Sequence, residues 1–232
     1  MKKFDYSLVK DPQYFCDGRM AAHSDHTYYR SEEEREDGET SYRYDMNGLW
    51  KFQYAPNYAG TIRGFEAEAY SCKDWEDIYV PAHIQMEGYD VPQYANVQYP
   101  WEGHEELHPG QIPERFNPVA SYVKYFYVPE NMKGKRVFIS FQGAESGLAL
   151  WLNGSFVGYS EDSFTPSEFE LTEYLKDGEN KLAARYSNGQ QAAGVRIRIF
   201  TVSPEFTETY IFTQCRKYMY MICRSVRFRM KH

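Results

Sequence analysis

The chain of 232 residues has room for one well-buried domain or two small ones. A net charge of −7 supplies no overall basic footprint for nucleic acid. No apolar run reaches the roughly 18 residues that a membrane-spanning helix needs. Aromatic residues make up 18%, led by 22 Tyr and 15 Phe, a balance that favours strands. The first residues, M-K-K-F-D-Y-S-L-V-K-D-P, carry positive charge but no apolar stretch, so they do not read as a secretion signal. Cys16, Cys72, Cys215 and Cys223 form no C-x-x-C pair, so neither a zinc site nor a disulfide framework is indicated. The expected location is cytoplasmic.

Residues 1–44 read as a polar arm, in which S-E-E-E-R-E (31–36) is a charge run suited to a solvated helix. Residues 45–189 read differently, as short strands with turn punctuation, the pattern of an all-β sandwich. L-W-K-F-Q-Y (49–54) alternates apolar and polar residues, and W-E-D-I-Y-V-P (75–81) follows a polar linker. S-Y-V-K-Y-F-Y-V-P (121–129) is a strong strand former that stops at proline. R-V-F-I-S-F (136–141) and L-A-L-W-L (148–152) come next, so that Phe126, Phe138, Ile139 and Trp151 are expected on strands. Asn153-Gly154 then separates L-A-L-W-L from S-F-V-G-Y, a hairpin signal in which both turn residues need positive φ. Its glycosylation-acceptor pattern, N-G-S, is better explained by that turn. Residues 169–171 form a short strand. T-E-Y-L-K-D-G-E-N reads as a helical turn capped by Gly178, and K-L-A-A-R-Y (181–186) as a closing strand.

Between these strands lies V-P-A-H-I-Q-M-E-G-Y-D-V-P-Q-Y-A-N-V-Q-Y-P (80–100), whose three prolines and one glycine exclude a helix. It reads as a long, aromatic-rich loop of the kind that carries function. Packing between sheets is the simpler reading from the residues alone. The run resembles the sugar-binding domain of glycoside hydrolase family 2 β-galactosidases, whose Y-x-N-V-x-Y-P element lines the galactose pocket; here it is Tyr94, Asn96, Val97, Tyr99 and Pro100. G-R-M-A-A-H-S-D near residue 20, M-N-G-L-W-K-F (46–52) and W-L-N-G-S-F-V-G-Y-S-E-D-S-F-T-P-S-E-F-E-L are similar to the arm and jelly-roll sandwich of the same family. The W-L-N-G half is shared with glucuronidases and mannosidases, whereas G-Y-D-x-P-x-Y-x-N-V-x-Y-P points to β-galactosidases. The resemblance implies a jelly-roll β-sandwich, with Asn96 touching the galactosyl ring and Val97 beside it. An Asn carboxamide donates and accepts, which suits sugar hydroxyls, although it equally braces its own loop.

Glycoside hydrolysis needs two carboxyl groups. Glu102, Glu105, Glu106, Glu161 and Asp162 all lie in polar context and read as solvated surface. In the resembled family the catalytic pair lies on a later TIM-barrel domain, so no catalytic residue is expected in this chain. His104 and His108 have a helix-like ligand spacing, but Gly103, Pro109 and Gly110 make the segment a loop, so no metal site is indicated. Ser146, in G-A-E-S-G, is not a nucleophile elbow. No cofactor is expected in this chain. The resemblance implies sodium and magnesium for the full-length family enzyme. The implied partners are a weakly held galactoside and the remaining enzyme domains, with neither nucleic acid nor membrane. The alternative is a free-standing carbohydrate-binding module, and a third is a domain that only supports assembly.

Residues 190–232 form an atypical tail. They hold eight Lys or Arg against two Glu, a charge of +6, whereas the residues before them hold 18 basic and 31 acidic groups. After R-Y-S-N-G (185–189) the family continues into S-W-x-E-D-Q-D-x-[WY]-R-x-S-G-I-[FY]-R-D-V, which is missing here. Codons read from the third base of each existing one can yield E-D-Q-D-F-Y-R-F-S-G-I-Y-R-D-V-Y, the family's own order, so a frameshift is the expected cause. In the family the second Asp of E-D-Q-D binds galactose and a sodium ion, and the strand after it completes the sandwich. Its loss is expected to open a sheet edge. The β-prone pairs Thr201-Val202 and Thr209 to Phe212 are the residues able to fill that gap in part.

Overall fold

The structure, a computed structural model, describes residues 3–23, 27–90, 103, 105–108, 111–144, 147–162 and 165–187, together with the backbone of 93–94, 201–202, 205–206 and 209–213. In chain order the elements begin with β1 (Cys16–Asp17), the helix α1 (Glu32–Asp37), β2 (Arg43–Asp45), β3 (Gly48–Ala55), β4 (Glu76–Val80), β5 (Ala82–His83) and β6 (Gln93–Tyr94). The body follows with β7 (Val119–Tyr127), β8 (Val137–Phe141), β9 (Gly147–Leu152), β10 (Ser155–Ser160), β11 (Ser167–Glu170) and β12 (Glu179–Ser187). Three short strands, β13 (Thr201–Val202), β14 (Glu205–Phe206) and β15 (Thr209–Thr213), come last.

Two sheets dominate: a seven-stranded one in the order β1-β10-β9-β12-β7-β3-β4 and a four-stranded one in the order β11-β8-β15-β2. The all-β sandwich expected from the alternation is the observed fold. Period-two patterning on β12 sends Leu182, Ala184 and Tyr186 inward, where they join Trp50, Phe52, Tyr122, Phe126, Leu148, Leu150, Ile139 and Phe141 between the sheets. Phe126, Phe138, Ile139 and Trp151 all lie on strands and are buried. The β9–β10 hairpin turns through Asn153 at φ +51° and Gly154 at φ +82°. Asn153 holds the turn down through its side chain, donating to Tyr174 O at 2.9 Å and accepting from Lys181 N–H at 2.9 Å. Gly158 sits at a bulge in β10, where a Cβ would fall 2.5 Å from Asp17 O and 2.6 Å from the Phe169 ring, so only glycine admits both neighbours.

Three features depart from the sequence reading. The helical turn is a single 3-10 turn (Thr172–Tyr174) that ends at Leu175, and Gly178 lies further on, at φ +89°, in the turn into β12. Residues 3–20, read as part of a polar arm, are integral to the sandwich. β1 pairs with β10, Val9 is buried, and Phe4 packs against Trp151, Phe156 and Tyr159. These apolar residues are scattered among charges, so no periodicity marks them. The edge expected to stand open is filled. β15, in the tail, pairs with β8 from Thr209↔Phe141 to Thr213↔Val137, and with β2 on its other side. Charge-run residues 31–36 do form a helix: Ser31 Oγ accepts the Glu34 N–H at 3.3 Å, and Gly38 ends it at φ +76°.

The outer face of the seven-stranded sheet is covered as well. Val9, Phe65, Cys72, Val123, Ala149, Trp151, Phe156, Tyr159 and Ala183 form a second apolar cluster, with Phe4, Tyr6, Tyr14, Ile62 and Trp75 packed against it. The N-terminal segment and the stretch from 58 to 75 thus make a third layer over β7, β9, β10 and β12.

Candidate functional site

The segment singled out by the sequence leaves the sandwich at the end of β4. Val80 is fully buried, the Val80–Pro81 bond is cis, and the backbone of β5 pairs with β14. A compact turn follows, in which Met86 N–H and Glu87 N–H both donate to His83 O and Tyr89 N–H donates to Ile84 O at 3.1 Å. Gly88 reverses the chain at φ +86°. Ile84 is the buried anchor of this turn, and the Tyr89 ring lies 4.6 Å from that of Phe52 in the main core. The Tyr89 hydroxyl donates to Glu76 Oε2 at 3.0 Å, which ties the turn back to β4. Burial and the Asp90 carboxylate push the neighbouring Tyr54 phenol up to about 12. Gln85 is buried, and its Oε1 has no donor among the described residues. The backbone of β6 then pairs with β13, Tyr94 opposite Thr201. Asn96 and Val97, with Tyr99 and Pro100, lie outside the described residues. The core-anchored turn and the backbone pairing of β6 with the tail both lie on the N-terminal side of these residues.

The carboxylates read as solvated surface have different fates. Glu106 is exposed, whereas Glu105 Oε1 accepts the N–H groups of Glu114 and Arg115 at 2.7 and 3.0 Å. Glu161 corrects the expectation: it is 5% exposed and accepts the Tyr159 hydroxyl at 2.8 Å. It follows Ser160 at the end of β10, where Tyr14 and Tyr159 stack above it, and desolvation raises the Tyr159 phenol far above its ordinary range. Asp162 pairs with Arg19 at 3.2 Å and accepts from Thr165. Glu102, His104, Pro109, Gly110 and Ser146 are outside the described residues; His108 is exposed in a loop. Asn153-Gly154 serves the hairpin. Cys16 is exposed and Cys72 buried, both as free thiols.

Sequence reasoning missed three buried charged groups. Glu168, largely buried, lies 2.6 Å from His23 Nε2 and accepts the Ser140 hydroxyl at 3.0 Å. Lys181 donates to Phe65 O, Ala67 O and Tyr70 O at 2.5, 2.8 and 2.6 Å, so the loop wraps its carbonyls around the ammonium. Burial holds its pKa below the ordinary lysine value. Arg185 donates to Ile62 O at 3.1 Å and lies 4.8 Å from the Phe65 ring centre and 5.4 Å from that of Tyr58. A charged residue on an outward strand position normally reads as solvent-facing. The only signal against that reading is the aromatic density of residues 58–75, which supplies the cover. Among the described residues, no three His, Cys, Asp or Glu side chains converge as a metal site, and no helix is long and apolar enough to cross a membrane.

Comparison with known proteins bears on the whole arrangement. The family model "Glycosyl hydrolases family 2, sugar binding domain" matches residues 44–198. A β-galactosidase of Halalkalibacterium halodurans is 47% identical over 209 residues, 89% of this chain and 21% of that protein. One from Streptococcus thermophilus is 48% identical over 184 residues, 78% of this chain and 18% of that protein. A β-galactosidase large subunit of Latilactobacillus sakei is 40% identical over 82% of this chain and 32% of its own length. The chain therefore spans about a fifth to a third of the curated relatives it matches. The fold is also that of part of a Bacteroides uniformis β-glucuronidase, with a TM-score of 0.55 at 17% identity over 74% of this chain and 18% of that one. Match, register and sandwich agree, and the chain belongs to glycosyl hydrolase family 2 through its sugar-binding domain.

Proposed function

We propose that this chain is the sugar-binding sandwich of a β-galactosidase, the enzyme that hydrolyses terminal β-D-galactosyl residues, and that it has no turnover by itself. The observation that carries this reading is the near-half identity to curated β-galactosidases across both sheets. Asn96, with Val97 beside it, contacts the galactosyl ring. The carboxamide supplies one donor and one acceptor to neighbouring hydroxyls. Hydrolysis needs a free pair of carboxyl groups. Glu161, Asp162 and Glu168 are each engaged with Tyr159, Arg19 and His23, which supports a role for them in holding the sandwich. The magnesium of the full-length enzyme belongs to its other parts, and the sodium needs the second Asp of the E-D-Q-D segment that is missing here. The residues after 189 are read out of the family's frame, β15 being a surrogate for the lost closing strand. The protein acts in the cytoplasm.

Titration of the 232-residue chain with galactose, followed by NMR, tests the pocket. The expected result is binding weaker than roughly millimolar, about −4 kcal/mol, because few hydroxyls find partners. Asn96→Ala is expected to abolish it without lowering the melting temperature. Binding that survives Asn96→Ala, or hydrolysis of a chromogenic galactoside by the purified chain, overturns the reading. The nucleotide sequence across codons 186–195 tests the frame.

A further inference from the structure

The outer face of the seven-stranded sheet carries one polar row between apolar ones. Gln53 on β3, Ser121 on β7 and Arg185 on β12 are cross-strand neighbours, Gln53 opposite Ser121 and Ser121 opposite Arg185. Opposite residues hold their Cβ atoms about 5 Å apart, so the three side chains leave the sheet together. The rows on either side bring Val123 with Ala183 and Ala55 with Val119, all buried. Above the row, the Arg185 guanidinium lies 5.4 Å from the Tyr58 ring centre, and its Nη2 donates to Ile62 O at 3.1 Å. Tyr6 stacks on Tyr58 with ring centres 3.5 Å apart. Ser121 is fully buried and Arg185 is 5% exposed. Gln53 Oε1, Ser121 Oγ and Arg185 Nε are all shielded from solvent and have no hydrogen-bond partner among the described residues. Bare buried polar atoms are rare in folded proteins, and here three fall on one row.

We infer that this row is a binding site for one internal water molecule, shared by Gln53, Ser121 and Arg185. The chemistry of the three atoms selects that ligand. Gln53 Nε2 donates to Tyr54 O at 2.9 Å, so Oε1 is the amide atom left over, and it only accepts. Arg185 Nε only donates, and the Ser121 hydroxyl does either. An anion has no donor for Gln53 Oε1, a metal or ammonium ion meets the charge of Arg185, and an apolar side chain leaves all three atoms unpaired. Water accepts from the Nε–H, donates to Gln53 Oε1 and makes its third bond with the Ser121 hydroxyl, the set of partners typical of an interior water. Such a water ties β3, β7 and β12 side by side. Through Arg185 and Ile62 O the link continues into the cover, so the third layer is joined to the sheet by a polar connection as well as by aromatic packing. The inference stands independently of the sugar-binding reading.

A crystal structure of the 232-residue chain tests the occupant directly. The expected result is a single ordered peak within hydrogen-bonding distance of Gln53 Oε1, Ser121 Oγ and Arg185 Nε. A protein side chain in that place, direct pairing of the three atoms with one another, or a row with no density between them overturns the inference. Urea unfolding supplies the second readout. Ser121→Ala removes one bond to the water and is expected to lower the folding equilibrium constant roughly fivefold, whereas loss of an unpaired buried hydroxyl would raise it or leave it unchanged. Gln53→Met, close in shape, also gives up the bond to Tyr54 O and is expected to cost somewhat more. The double variant is expected to lose less than the product of the two single factors, because either change alone already loosens the shared water. Unchanged or raised stability in Ser121→Ala, or single losses that simply multiply in the double variant, means that no molecule links the row and overturns the inference.

Discussion

On the inner face of the seven-stranded sheet, Trp50, Phe52, Leu150 and Tyr186 pack against Ile139 and Phe141 of the other sheet; on the outer face of the same strands, Lys181 and Arg185 lie buried beside Trp151 and Phe65. The inner face is closed by a second sheet, which offers only side chains because its backbone is already paired. The outer face is closed by irregular chain, and irregular chain brings carbonyls that no strand ladder satisfies. Phe65 O, Ala67 O and Tyr70 O need donors, and Lys181 supplies three. The kind of cover therefore decides which residues a buried strand position requires.

The largest expected effect follows on the inner face. Phe52→Ala removes a ring that is fully buried and lies 4.9 Å from that of Tyr122. The loss combines transfer free energy with a cavity, about 3–5 kcal/mol, read as a shift of the urea midpoint with little change in slope. A loss under about 1 kcal/mol would show that the two sheets close over the gap, and that the inner face is not packed as described.

On the outer face, Lys181→Met keeps the aliphatic stem and removes the ammonium. Three carbonyls lose the ammonium, but Ala67 O keeps the Tyr70 N–H at 3.1 Å and a loop at the surface can partly rehydrate, so about 2–3 kcal/mol is expected rather than the sum of three full penalties. Ammonium chloride, compared with sodium chloride at equal strength, is expected to restore part of the loss by placing a small donor cation among the carbonyls. If Lys181→Met is as stable as the unaltered chain, loop 64–72 is held by its apolar contacts and the distinction between the faces collapses.

How far these faces were legible in the sequence differs between them. Alternation in L-W-K-F-Q-Y and K-L-A-A-R-Y, and the Asn153-Gly154 turn, are local signals, and they returned β3, β12 and the hairpin almost residue for residue. The third layer was not legible. Phe4, Tyr6, Val9 and Tyr14 sit among lysines and aspartates at no constant spacing, and their burial depends on a sheet more than a hundred residues downstream. Lys181 and Arg185 were hidden by the same fact, since an outward strand position becomes an interior one only when something covers it. The partnership of Thr209–Thr213 with β8 was visible only as β-propensity. Asn96 and Val97 stood out through motif resemblance alone, because an Asn in a proline-rich loop carries no distinguishing physics.

Below both faces in cost stands the hairpin that turns one strand into the next. Asn153→Ala puts a Cβ residue without a side-chain acceptor at φ +51° and drops bonds to Tyr174 O, Asn180 Oδ1 and the Lys181 N–H. About 1–2 kcal/mol is expected. Asn153→Gly, which keeps the backbone freedom and loses the bonds, separates the two contributions. Equal melting of the Ala and Gly variants would assign the effect to the hydrogen bonds.

The smallest effect is expected where a cation is exposed and already has its carboxylate. Arg136 forks onto Glu170, Nε to Oε1 at 2.9 Å and an Nη2 to Oε2 contact at 2.6 Å, at the solvent side of β8 and β11. The guanidinium hydrogen bond holds the Glu170 carboxyl below its ordinary value of 4.5. A depressed folded-state pKa means the unfolded chain binds the proton more readily, so the pair's contribution is complete above about pH 4.5 and fades as pH falls through the folded value. Solvent and salt screen it, so its effect is expected to be the smallest of these. Glu170→Gln is therefore expected to change stability little at pH 7 and to flatten the acid limb slightly, measured by urea unfolding at pH 3, 4, 5 and 7. The contrast with Lys181 is the point of the measurement. Both cations are well bonded, but only Lys181 is buried beneath loop carbonyls, and a loss at Glu170 as large as that at Lys181 would mean that burial is irrelevant to what a charge on this sandwich is worth.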